Sequence, residues 1–248
     1  MLLAWRSPSM RPTRDIDFLA TIPNDVETAT EIIRGICSHE VEDDGILFDP
    51  NSVQGRIIKE DADYEGVRVT FLGHLQKARI HMQVDMGFGD VTIPPPIDLD
   101  YPTQLDFDRP RIRGYARETM IAEKFEAMVA LGELNSRVRD FFDVWLLSRQ
   151  FDFQGRSLAA AIEATFRNRG RSLSATPVAL TRQFAANPVK QSQWAGFLRK
   201  AQISTTPPFQ EVVQFVADFV LPVADAVSHD ATFAAIWKAP GPWRLPNT

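Results

Sequence analysis

Apolar and polar positions alternate most clearly from Ala78 to Gly87, where Ile80, Met82 and Val84 are interleaved with Arg79, His81, Gln83 and Asp85. A two-residue period predicts a strand with one buried face, and Asp85 lies on its polar face. Residues 66–72 alternate in the same way through Val67, Val69 and Phe71, and 54–58 also reads as a strand. Ile16–Ala20 is a further predicted strand, with turn signals at Pro23-Asn24-Asp25 and in 45–50. Between those turns, Val26, Ala29, Ile33, Ile36 and Cys37 recur at helical spacing, so 26–39 is predicted as a helix capped by Asn24 or Asp25.

Prolines at 94, 95, 96, 102 and 110 make 93–110 an extended crossing, and the pattern changes after Tyr115. Helical spacing dominates 118–131, 136–150 and 159–169, and then 207–227 and 230–237, with a coil tail at 240–247. In the first of these helices Ile121, Phe125, Met128 and Leu131 form the apolar stripe. In the second, Val138, Phe141, Phe142 and Trp145 form a buried face that reads as core rather than as a base-stacking platform. The expectation is an α+β protein, with a mixed front part and a C-terminal helical part that join near the prolines before Tyr115.

Composition narrows the classes. In a chain of 248 residues, 44% hydrophobic residues exclude a disordered chain, and 17 Pro with 13 Gly exclude a collagenous one. The lone Cys37 cannot form an intrachain disulfide, and four His leave little for a His/Cys metal centre. The apolar start, Met1 to Trp5, is too short for a signal peptide, and no run reaches the length of a transmembrane helix. A cytoplasmic protein without membrane contact is expected. The net charge of −5 is unevenly spread: residues 1–150 hold 26 acids and 17 bases, and residues 151–248 hold 6 and 10. That asymmetry suits a metal ion in front and an anion behind, or simply acidic loops that cluster early.

Three groups carry candidate chemistry. Asp15 and Asp17 flank Ile16, and side chains two apart on a strand share a face. With Asp85 they would make an all-oxygen site of the kind Mg²⁺ prefers, although Asp-x-Asp also occurs on solvated strand faces. Lys124 interrupts the apolar stripe of its helix and either snorkels outward or meets an anion. Asp140 sits at the edge of the next helix's buried face, directly after the bases Arg137 and Arg139, which also suits ordinary surface ion pairs. Arg167, Arg169 and Arg171 are either phosphate contacts or a solvated face. Gly87-Phe88-Gly89 lacks the third glycine of a dinucleotide loop, and there is neither a Gly-rich Lys-Ser/Thr loop nor a Gly-x-Ser-x-Gly elbow.

Four blocks stand in order along the chain: Arg11-Pro12-Thr13-Arg14-Asp15-Ile16-Asp17-Phe18-Leu19, Gln83-Val84-Asp85-Met86-Gly87-Phe88-Gly89-Asp90, Ala122-Glu123-Lys124-Phe125-Glu126-Ala127 and Arg139-Asp140-Phe141-Phe142-Asp143. Together they resemble the AbiEii/AbiGii-like nucleotidyltransferases, the toxin halves of bacterial abortive-infection pairs. The resemblance implies a polymerase-β-like nucleotidyltransferase domain over 1–110 and a helical domain over 111–248. It implies that Asp15, Asp17 and Asp85 hold Mg²⁺, with Asp85 helping to activate the acceptor hydroxyl. Lys124, Arg11, Arg14 and Asp143 would serve the nucleotide, and Asp140 would be the acidic member of the last motif. The implied reaction moves NMP from an NTP to an RNA, such as tRNA, or to a protein side chain, and the implied partner is an antitoxin in phage defence. Members also carry a Lys-Gly-Gly or Gly-Gly/Ser element just before the segment that aligns with Met1–Trp5. This sequence starts after that point, so the expectation is a start codon placed too late. The alternatives are an impaired nucleotide-, RNA- or partner-binding module and, third, a metal-dependent nuclease using the same carboxylates.

Overall fold

A computed structural model describes residues 16–61, 64–103, 106–173 and 176–246. Contacts divide the chain into two compact units, Pro12–Asp90 and Val91–Thr248. In the first, β1 (Ile16–Ala20) leads to α1 (Val26–Cys37), followed by β2 (Ile46–Asp61), β3 (Tyr64–Leu75) and β4 (Ala78–Phe88). The sheet order is β1-β4-β3-β2; β1 runs parallel to β4, and the other pairs are antiparallel. Asp25, one of the two predicted caps, starts α1 by accepting a bond from the Thr28 N–H at 2.8 Å.

Helix α1 buries Ala29 and Ile33 against Val53, Val67, Val69, Val84 and Met86. Its approach to β2 requires Gly55, where a Cβ would collide with Thr30 Oγ1 and Val26 Cγ1. Strand β2 is longer than predicted and takes in most of the expected turn at 45–50. Pro50, the last residue of that turn, and Asn51 after it are absorbed by a register shift between Asp49 and Gln54, where the Ser52 hydroxyl accepts the Leu72 N–H at 2.8 Å.

The second unit opens with the hairpin β5 (Ile97–Asp100) and β6 (Arg111–Gly114), whose first strand lies within the segment expected to be a plain crossing and whose second follows it directly. Leu99 packs against the helical core, so 91–110 groups with the helices and the compact units part at Asp90/Val91 rather than near 110. Helices α2 (Arg117–Leu131) and α3 (Val138–Gln150) follow, then β7 (Phe153–Gln154), α4 (Gly155–Asn168), α5 (Arg182–Ala186), α6 (Pro188–Ala201) and α7 (Phe209–Ser228). The predicted stripes are core: Ile121, Phe125, Met128, Phe141 and Phe142 are fully buried.

The helix expected over 230–237 does not form. After α7 the chain runs extended into β8 (Ile236–Trp237), which pairs with β7 and with β9 (Trp243–Arg244). Tertiary contacts decide this. The Ala235 carbonyl accepts the Gly155 N–H at 2.9 Å, and the Trp237 indole N–H donates to the Ser148 carbonyl at 2.6 Å. Among the described residues no helix is long and apolar enough to cross a membrane. The α+β class with a C-terminal helical part is therefore the one expected.

Candidate functional site

Candidate site residues gather in two constellations among the described residues, one in each unit. In the first, β1 and β4 pair so that Asp17 and Asp85 are register partners. Val84 and Met86 belong to the core beneath α1, so the side chain between them, Asp85, faces away from the helix. Register partners on neighbouring strands share a face about 5 Å apart. Asp17 and Asp85 therefore stand side by side on the sheet face opposite α1, with Asp17 exposed and the Asp85 side chain 14% exposed.

A residue not singled out in the sequence completes this face. Arg68 is the β3 register partner of Asp85, and its Nε and Nη2 donate to Oδ1 and Oδ2, each at 2.7 Å. Gln83 Nε2 donates a weaker bond to Oδ2 at 3.2 Å. The alternation of 66–72 already put position 68 on the polar face, but only strand pairing shows that it meets Asp85. Asp15, Arg11 and Arg14 lie outside the described residues, as does the Met1–Trp5 segment.

Two carboxylates on one face suit a hard divalent cation, which takes oxygen ligands and completes its shell with water and phosphate. Arg68 and Gln83 occupy Asp85 Oδ2, whereas Oδ1 accepts the Arg68 Nε–H and keeps a lone pair, so the donor set fits such an ion through Oδ1 and Asp17. Among the described residues no group of three His, Cys, Asp or Glu side chains gathers around a common point.

The second constellation joins α2 to α3. Lys124 Nζ lies 2.8 Å from Asp140 Oδ1 and 2.8 Å from Asp143 Oδ2. Arg137 Nε is 2.9 Å from Asp140 Oδ2, close enough for charge pairing although its N–H is not aimed for a hydrogen bond. Both aspartates are buried, Asp143 completely. Burial alone would pull the Lys124 ammonium down, but Asp143 and Asp140 more than offset it and hold its pKa above the ordinary lysine value. Of the two fates open to Lys124, the lysine meets anions, and they are the chain's own carboxylates. The last two motif blocks are thus brought together as one cluster.

The basic residues at and after the end of α4 are also paired. Arg167 bonds Glu163, Arg169 Nη2 is 3.2 Å from Glu123, and Arg171 Nε is 2.6 Å from Glu126. The two glutamates on α2 were not anticipated as partners; Arg169 and Arg171 hold the 169–171 segment to that helix, while Arg167 pairs within α4.

A crystal structure of JHP933 from Helicobacter pylori shares 15% identity, covering 90% of this chain and 78% of that one, with a TM-score of 0.46. A second H. pylori crystal structure, of a protein described as a proposed nucleotidyltransferase, also shares 15% identity, covering 92% and 83%, with a TM-score of 0.42. No curated protein matches. A family model described as nucleotidyl transferase AbiEii toxin, of a Type IV toxin–antitoxin system, matches residues 1–215. That match spans most of the 248 residues, and the chain belongs to the AbiEii nucleotidyltransferase toxin family.

Proposed function

We propose that this toxin transfers NMP from an NTP to a hydroxyl of an RNA, such as tRNA, or of a protein, with Asp15, Asp17 and Asp85 as the metal-holding carboxylates. The observation that carries the reading is the register pairing of Asp17 with Asp85 on the sheet face opposite α1. In the reaction the acceptor oxygen bonds to the α-phosphorus, the bond to the bridging oxygen breaks, pyrophosphate leaves, and the hydroxyl proton passes to solvent. Mg²⁺, when bound, neutralises triphosphate charge and makes the acceptor hydroxyl more acidic. Asp17 and Asp85 would hold that ion beside the acceptor, and Asp85 would thereby help to activate the hydroxyl.

Lys124 is the proposed phosphate ligand of the helical unit, with Arg11 and Arg14 as further nucleotide contacts. An ammonium has three donors, and Asp140 and Asp143 take two of those on Lys124, which leaves one for a phosphate oxygen. Asp140 and Asp143 hold the lysine charged and aimed. A cognate antitoxin is the expected protein partner, in a phage-defence role in the cytoplasm.

The test is transfer of label from α-³²P-NTP to cellular RNA or protein in Mg²⁺. Labelled product that disappears on replacing Asp15 and Asp17 together by Ala supports the reading. Transfer that survives the double replacement refutes it. Shortened RNA in place of labelled RNA would make the protein a nuclease, and retained nucleotide or antitoxin binding without transfer would make it a binding module.

A further inference from the structure

The Arg68 guanidinium has no place in the reaction above, yet it grips one of the two described metal-site carboxylates. On the sheet face away from α1, Arg56, Arg68, Asp85 and Asp17 are successive register partners across β2, β3, β4 and β1. The row therefore runs from cations to anions, and its inner pair is the shielded one. Arg68 is 27% exposed and Asp85 14%, whereas Arg56 and Asp17 lie open.

A two-point fork from a guanidinium to a carboxylate has two consequences. It fixes the plane of the carboxylate, because both oxygens are bonded at once. It also places a permanent positive charge on the strand next to Asp85, which opposes a divalent cation binding at the same group. Two adjacent carboxylates without such a neighbour would attract a divalent ion strongly. With it, their pull is weakened while one of them stays aligned.

We infer that Arg68 is a positioning residue that holds Asp85 in one orientation and keeps the cation affinity of Asp17 and Asp85 low in the nucleotide-free protein. The cation then arrives with the triphosphate, whose oxygens supply the missing attraction. This rests on the proposed metal role of the two aspartates.

The experiment is a Mn²⁺ titration of the full chain, followed by the paramagnetic resonance signal of free Mn²⁺ without nucleotide. Arg68→Met keeps the aliphatic stem and removes the charge and the fork. It is expected to bind Mn²⁺ about tenfold or more tightly than the parent, because an opposing charge has been removed. In the transfer assay the same variant lowers kcat with little change in KM for NTP. Arg68→Lys, which keeps the charge without the fork, retains the parent's Mn²⁺ affinity and shares the kcat loss. A residue with a merely structural role would weaken ion binding and turnover together.

Mn²⁺ binding by Arg68→Met that is no tighter than in the parent overturns the inference and leaves the metal reading standing. Tighter binding that is unchanged when Asp17→Asn is added overturns both, because the ion then sits elsewhere. Circular dichroism checks that Arg68→Met is folded; if it is not, Arg68→Gln, neutral and still able to bond Asp85, takes its place with the same expected tightening.

Discussion

Lys124 illustrates how much one residue's role depends on its neighbours. Its ammonium is held by two aspartates from the next helix, and Asp143 is wholly buried. Lys124→Met would leave those carboxylates buried without their main counter-charge, a loss of about 3–5 kcal/mol readable by urea denaturation. Adding Asp143→Asn should recover part of that loss, because one stranded charge is then gone. The pH dependence has a definite sign. The folded-state pKa of Lys124 is raised, so its contribution to stability is complete below the ordinary lysine pKa and is lost as pH rises through the folded-state value. Parent stability should therefore fall with a lysine-like component at strongly alkaline pH, and the Lys124→Met, Asp143→Asn double variant should lack that component. Lys124, Asp140 and Asp143 were all legible as candidates in the sequence. That they bond one another was not, because the residues are separated by a turn whose path no local pattern specifies.

Among the elements, the pairing of α1 with the sheet shows where local signals suffice and where they fail. Alternation in 66–72 and 78–87 and helical spacing in 26–37 depend only on side chains a few positions apart, and these elements form as read. The closeness of α1 to β2 depends on Gly55, whose missing Cβ lets Thr30 and Val26 approach. Gly55→Ala should displace the helix and cost about 1–3 kcal/mol, measured as a lower urea midpoint, with no gain from the added methyl. The 230–237 segment has a helix-compatible composition, yet it becomes extended because Gly155 and Ser148 offer it bonding partners far away in the chain. Propensity lost there to tertiary pairing.

Over the whole chain, the described residues form two separate hydrophobic cores. One lies within Pro12–Asp90 and the other, rich in aromatic side chains, within Val91–Thr248. A core that draws on only one segment should fold with that segment. Residues 91–248 expressed alone are therefore expected to unfold in a single cooperative transition and to retain helical circular dichroism; a gradual, non-cooperative melt would contradict this. The charge asymmetry looks different at this scale too. The excess of bases after residue 150 suggested an anion-binding face, but Arg167, Arg169 and Arg171 are engaged with Glu163, Glu123 and Glu126. By itself the sequence determined the α+β class, most of the elements, the family blocks and which side chains carry charge in them, because each of these is written in short-range spacing and residue type. Only the tertiary structure decided that Asp17 stands beside Asp85, that Arg68 grips the latter, and that Lys124 answers to Asp140 and Asp143. Strand register and helix packing are set by surfaces that meet across long stretches of chain, and no local period encodes which residue will face which.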